Sequence, residues 1–492
     1  MAKRCMSSLF VLTAAVSGCT QLSPELEVVH DAAEVLGGVE AVRSATTMVM
    51  EGSGSNYRLG QNRTFDAPLP TSEVESYTLE VDLQNHRARV EVVSANFAGN
   101  MGTTVGALDG RVAFDVGGSG NAQRVGSSAA SERRAEYYHH PLILLQAALA
   151  EDGLAATVSN LRQESGQNVV DITTADGSQL TLHIDAQTRL PLLIESTSYN
   201  TNLGDVTITT TFADYTDTDG FMLPQERSQA IDDVPISELR VTHVVNPAIG
   251  DLAAPAEVAS AGEPGPPSAN VTVDELASGV WLLAGQSHHS VLVDFPEYTV
   301  LVEAPQNDTR ALAVIEQARA LVPDKPLRYL VNTHHHFDHS GGVRAAVAEG
   351  LTVITHETNR EFFEEMVARP HTIVADHLAQ NPAALMLDTV TGNESYQLGE
   401  GTRVMQIYRV GDNPHCDGTL AVYLPREQIL IQADMYIPGV GGPFAASAAM
   451  LLQSIEDRGL RVSRLVPIHG EVVPLSQLEE AVEATANRTA AP

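Results

Sequence analysis

The stretch Val331–Gly342, VNTHHHFDHSGG, packs four histidines and one aspartate into the six positions from His334 to His339. A single histidine has many structural uses; this density has few. Imidazole and carboxylate are donors that Zn²⁺ accepts, and a catalytic ion also needs one open position. The residues before the loop, LRYLVNT (327–333), read as a strand. The loop therefore stands at a strand end, where ligands of open α/β sheets gather.

Strand and helix patterns alternate on both sides of it. GVWLLAG (279–285), HSVLVDF (289–295) and YTVLVEAP (298–305) read as strands, and DTRALAVIEQARALV (308–322) as a helix. A further helix begins near Val343. Beyond it come LTVIT, HETNREFFEEMVA, LAVYLP, QILIQADM, AASAAMLLQSIEDRG, SRLVPIHG and LSQLEEAVEA. The alternation predicts an α/β domain over 272–492.

Read as His-x-His-x-Asp-His, residues 334–339 resemble the signature of the metallo-β-lactamase superfamily, and the glycines after Ser340 fit as well. That resemblance implies an αββα sandwich and further ligands in a set order. His415 in GDNPHCDGTL, Asp434 in LIQADMY and His469 in VPIHG occupy those places. By analogy with the family, one metal takes His334, His336 and His415. The other takes Asp338, His339 and His469, and Asp434 bridges the two. Two Zn²⁺ are the default; iron or manganese suit the same donors. A hydroxide between the ions would be a nucleophile, since bound metal lowers the pKa of water to about 7. Asp338, His339 and Asp434 are the residues nearest that chemistry.

Two departures from the family pattern matter. Where an early strand often ends in an aspartate that supports the metal loop, TVLVEAP offers Glu303. Asp434 stands where zinc β-lactamases commonly carry Cys or Ser, which favours ester, lactone, thioester or phosphodiester hydrolysis over β-lactam hydrolysis. Around this set, His335 is expected to be a spacer or a support for the ligands, and His356 to cap or begin a helix. His288 and His289 lie at a strand edge within reach of the pocket. Cys416 reads as a small buried residue. Tyr436 could reach a leaving group, but packing is its ordinary role. No general acid is visible.

The N-terminal part has another rhythm. PELEVVHDAAEVLGG spaces Leu26, Val29, Ala33 and Leu36 helically before a glycine stop. Up to about 246, the sequence then reads mostly as strands. SQLTLHID alternates Leu180, Leu182 and Ile184 with polar residues, and DVTITTTFADY alternates Val206, Ile208, Thr210 and Phe212. Period two with one apolar face predicts half-buried antiparallel strands. DAQTRLP (185–191) is a turn, and HHPLILLQAALAEDG (139–153) a buried helix or plug. The segments GSQLTLHIDAQTRLPLLIE and GDVTITTTFADYTDTDGFMLP resemble the periplasmic lipoprotein-carrier superfamily. That likeness implies a half-barrel enclosing a helix and an apolar cavity, and so a lipid or other apolar ligand. The alternative is a β-rich domain that only positions its neighbour. A Pro-rich linker, 250–271, predicted to be extended or irregular, separates the β-rich domain (19–249) from the α/β domain.

Residues 1–18 read as a signal peptide. Lys3 and Arg4 precede SLFVLTAAV, which is too short to span a bilayer. VSGC (Val16–Cys19) resembles a bacterial lipobox, which implies lipidation of Cys19 and a membrane anchor; plain secretion is the alternative. Thr20 after the cysteine implies the outer membrane, facing the periplasm. With Cys5 removed and Cys19 lipidated, Cys416 has no disulfide partner. Lys and Arg number 29 against 62 Asp and Glu, a net charge of −33. That surface repels polyanions and argues against nucleic acid. The expected partner is a small-molecule substrate, apolar where the likeness to the lipoprotein carriers applies.

Overall fold

The computed structural model describes residues 22–96, 99–150, 156–265, 269–411, 413–440 and 442–490. The signal segment with Cys5 and Cys19 lies outside the described residues, as do Pro266 and Pro267. The first helix, Pro24–Leu36, is capped by Ser23, whose hydroxyl accepts the Leu26 amide at 3.4 Å. Pro24 sits in the first turn, where no N–H is needed, and Gly37 closes the end. Val29, Ala33 and Leu36 form its buried face.

Thirteen strands follow in one antiparallel sheet. From Ala122–Arg124 at one edge, they run in reverse sequence order to Thr47–Tyr57. The last strand, Val234–Val245, pairs with Thr47–Tyr57, and the order descends again to Thr157–Glu164 at the far edge. The chain leaves one edge and re-enters at the other through the helices Ser127–Tyr137 and Pro141–Ala148. The second of these, PLILLQAA, is apolar apart from Gln146, whose amide donates to the Val42 and Ala45 carbonyls, which suits a helix buried on most sides. Leu142, Leu144 and Leu145 are fully buried against Leu36, Leu182 and Ile172. As the alternation predicts, Leu180, Leu182 and Ile184 are buried while Gln179 is exposed.

Most described residues of 250–271 are irregular, as the composition predicts, but the segment also holds one short helix and packs on the sheet. The helix is Ala256–Ser260, and Val258 is buried in a cluster with Ala107 and Phe114. The Ala254 amide donates to Asp109 at 2.9 Å. Burying one valine and pairing one amide hold the segment against the sheet despite its prolines.

The C-terminal part contains a seven-stranded and a six-stranded sheet. One apolar core, including Val293, Val331, Ile407 and Ile431, joins their facing sides. The helices Asp308–Leu321, Val343–Ala348 and Arg360–Ala368 cover the outer face of the first sheet, and Ala445–Asp457 and Leu475–Ala490 that of the second. Two parallel pairings decide where the polar residues go. Val302 pairs with Val331, so Glu303 emerges beside the histidine loop. Gln432 pairs with Pro467, so Asp434 emerges beside His469.

Candidate metal centre

The seven predicted ligands converge at this strand-end rim. His334, His336, His415 and Asp434 form one group, and Asp338, His339, His469 and His288 a second. Within each group, one donor atom per residue lies within 4.8 Å of the others. Asp434 faces both groups. Its Oδ2 lies 3.2 Å from His415 Nε2, and its Oδ1 lies 3.1 Å from His469 Nε2 and 3.4 Å from His339 Nε2. Of the two edge histidines, His288 enters the pocket, with Nε2 3.3 Å from Asp338 Oδ2. His289 turns to the Gly470 carbonyl.

Hydrogen bonds on the far side of the rings aim their lone pairs inward. His336 Nε2 donates to the Asn62 carbonyl at 3.0 Å, and His469 Nδ1 to the Ser287 carbonyl at 3.1 Å. A carbonyl only accepts, so the proton stays on the outer nitrogen. Likewise, His339 Nδ1 faces Glu303 Oε2 at 3.3 Å, while Glu303 Oε1 accepts the Thr333 amide at 2.7 Å. Glu303 thus supports the loop as the sequence suggests. Buried carboxylates behind ligand imidazoles fix ring orientation and raise basicity. Glu303 and Asp434 both adopt left-handed backbone, with φ of 68° and 56°. Such non-glycine strain costs about 1–3 kcal/mol and clusters at functional sites.

The donors fit a metal ion. His334 Nε2 and His336 Nδ1 are buried polar atoms with no hydrogen bond among the described residues. Such atoms are expensive to leave unmatched. Burial pushes the pKa values of His334 and His336 well below the ordinary imidazole value, leaving them neutral as ligands must be. For His339, burial opposes charge, yet Asp434 and Asp338 outweigh it and raise its pKa well above the ordinary value. For Asp434, burial opposes ionisation, but His339, His415 and His469 hold its pKa well below the carboxylate range. The pocket favours positive charge between its carboxylates.

The family model of the metallo-beta-lactamase superfamily matches residues 284–467. The C-terminal part carries a metallo-beta-lactamase superfamily domain. Such a domain implies a metal-dependent hydrolase. Similar solved structures include a metallo-beta-lactamase from Pontibacter korlensis, at 18% identity over 44% of this chain and 100% of that one, with a TM-score of 0.35. Another, from Hirschia baltica, is 21% identical over 44% and 97%, with a TM-score of 0.34. FIM-1 from Pseudomonas aeruginosa, in its mono-zinc form, is 19% identical over 46% and 99%, with a TM-score of 0.36. No curated protein matches the chain.

The remaining candidates settle as supporting residues of this metallo-beta-lactamase domain. His335 is buried with Nδ1 3.4 Å from Cys416 Sγ, and burial pushes the Cys416 thiol up to about 12, so it stays protonated. His356 caps a short 3₁₀ turn by accepting the Thr358 amide. Tyr436 donates its hydroxyl to the Gln477 carbonyl and packs away from the ligands. Three contributors come from the N-terminal part and were not foreseen. Gln61 donates to Asp338, Asn62 offers its carbonyl to His336, and Asn202 donates to Ser340 Oγ at 2.7 Å.

Proposed function

We propose that the protein is a dinuclear, zinc-dependent hydrolase built on an αββα sandwich and acting on an ester, lactone, thioester or phosphodiester. The observation that carries this is Asp434, whose two oxygens each face a different group of histidines. His334, His336 and His415 would hold one ion, Asp338, His339 and His469 the other, and Asp434 would join both. When bound, the ions would polarise the substrate's carbonyl or phosphoryl oxygen and supply a water of lowered pKa. Glu303 keeps His339 oriented, and the carbonyls of Asn62 and Ser287 keep the lone pairs of His336 and His469 on the metal side. Iron or manganese would suit the same donors.

The test is elemental mass spectrometry on protein purified without chelator, followed by a panel of those four substrate classes and nitrocefin. About two metals per chain are expected, with turnover of at least one non-β-lactam substrate that chelation removes and zinc restores. A chain that binds no metal even with added zinc would sink the proposal.

The reading as a carrier of lipid or other apolar ligand gains no support. The sheet does line an open cavity of about 1390 Å³. Its walls mix Val92, Ile208 and Ile231 with Ser196, Gln229 and Glu136, and such a lining does not by itself select an apolar ligand.

We further propose that Cys19 is lipidated and anchors the chain to the outer membrane, facing the periplasm. Support comes from VSGC after a short apolar run. Among the described residues, no helix is long and apolar enough to cross a membrane. In cells, the protein is expected to enter the detergent phase on Triton X-114 partitioning, and Cys19→Ser to leave it. Equal partitioning of both would count against the anchor.

A further inference from the structure

We propose that Gln61, a residue of the N-terminal β-rich domain, is a positioning residue of the metal centre in the other domain. This rests on the dinuclear reading above. The loop joining Thr47–Tyr57 to Thr71–Asp82 leaves the sheet and lies along the histidine loop. Gly60 makes the closest approach. Its carbonyl accepts the Phe337 amide at 3.2 Å, its φ is +71°, and a Cβ there would lie 2.2 Å from the Phe337 ring. Only glycine meets both demands.

That approach places two groups behind two predicted ligands, one for each ion. Gln61 Nε2 donates to Asp338 Oδ1 at 3.0 Å. The other oxygen, Oδ2, is thereby left facing His288, His339 and His469 at 3.3, 3.6 and 3.9 Å. A carboxylate tied by one oxygen keeps a single rotamer, so its second oxygen is already aimed when the ion arrives. An amide does this without a charge, so the carboxylate's negative charge remains for the cation. The next carbonyl, from Asn62, accepts His336 Nε2 and aims Nδ1 at the other group.

The loop is held firmly enough to act this way. Asn62 is 8% exposed, and its amide donates to the Phe65 carbonyl at 2.7 Å, closing the loop on itself. Phe65 meets Phe362 edge-on at 5.8 Å. The Arg63 carbonyl accepts the Asp417 amide at 2.9 Å, two residues beyond His415. From a second direction, Asn202 donates to Ser340 Oγ, which donates to the His335 and His336 carbonyls. A loop that served only to join domains would have no need of a donor on a half-buried carboxylate of the predicted ligand set.

The experiment compares the full chain with Gln61→Met, Gln61→Ala and, as a control, Arg369→Ala. Methionine keeps the length and approximate volume of glutamine and removes the amide, whose N–H is the group that reaches Asp338. Arg369 joins the domains through Asp232 and Leu203, away from the ligands. Zinc affinities are read by competition with a fluorescent chelator, cobalt(II) spectra report the ligand field, and melting in EDTA reports the fold. Gln61→Met and Gln61→Ala are expected to weaken one of the two zinc ions about 10–100-fold. The other ion should hold within about threefold. The cobalt spectrum should shift, and melting in EDTA should stay close to the parent. Arg369→Ala should leave both affinities alone. Parent-like affinities and spectra in both Gln61 variants, or an equal loss in Arg369→Ala, would overturn the role of Gln61 while leaving the metal centre standing. A parent chain that binds no zinc would overturn both together.

Discussion

Replacing Asp434 by asparagine is expected to remove hydrolysis almost completely and to lower the metal content of the chain. The loss should be on the order of 10³-fold or more, about 4 kcal/mol of barrier. Asparagine is the informative change because it keeps the volume and tolerates the left-handed backbone that residue 434 adopts. What disappears is the charge. Asp434 is 6% exposed, and its oxygens stand 3.1–3.4 Å from the Nε2 atoms of His469, His415 and His339. In the dinuclear centre proposed above, losing the carboxylate would leave two cations with less negative charge between them and no residue joining them.

The metal-free protein gives the same prediction a pH signature. Burial opposes charge on His339, but Asp434 and Asp338 raise its folded pKa above the ordinary 6.5. A raised histidine pKa contributes stability fully below the unfolded value and loses it as pH climbs through the folded value. The carboxylate partner is charged well below its ordinary 3.8. The destabilisation of metal-free Asp434→Asn should therefore be largest between about pH 4 and 6.5 and should shrink at alkaline pH. Urea denaturation across that range reads it. A gap that grew with pH would mean that His339 carries no proton in the metal-free fold.

Most of the centre was legible because its donors sit at strand ends in a fixed order. Each predicted ligand lies near a short apolar run, and such runs survive as strands whatever else the fold does. Glu303 was legible for the same reason, since it ends YTVLVE. The choice between His288 and His289 was not. Both lie just before the strand Ser290–Asp294, and the Ile468 carbonyl takes the His289 amide and settles which ring turns inward. Gln61 was illegible for a stronger reason. It lies 277 residues from Asp338, in a loop with no periodicity, and only the packing of two domains brings it there. The helix at Ala256–Ser260 was hidden by the prolines around it, because local composition does not register the cluster that receives Val258.

Replacing Arg344 by methionine is expected to cost about 3–5 kcal/mol of stability, the range for breaking a buried ion pair from one side. Arg344 is 3% exposed on the helix that begins directly after the metal loop. Its guanidinium pairs with Asp376 and donates to the Met366 and Val367 carbonyls at 2.9 and 2.8 Å. Burial opposes ionisation of Asp376, yet Arg344 holds its pKa below the carboxylate range. Methionine fills the space but leaves that carboxylate with His371 and the Ala379 amide as its remaining partners among the described residues. Urea denaturation of the metal-free chain tests this, and a loss under about 1 kcal/mol would refute it. The same titration with excess zinc carries the consequence for the centre. A ligand that binds only the folded state adds the same increment to both proteins when its affinity is unchanged. Gly342, at the start of this helix, donates to the Ala304 carbonyl next to Glu303. A loosened helix should therefore loosen the hold on His339 and weaken zinc, so the gap between parent and Arg344→Met is expected to widen when zinc is present. An unchanged gap would confine Arg344 to the scaffold and leave the loop to be held by Glu303, Asn62 and Gln61.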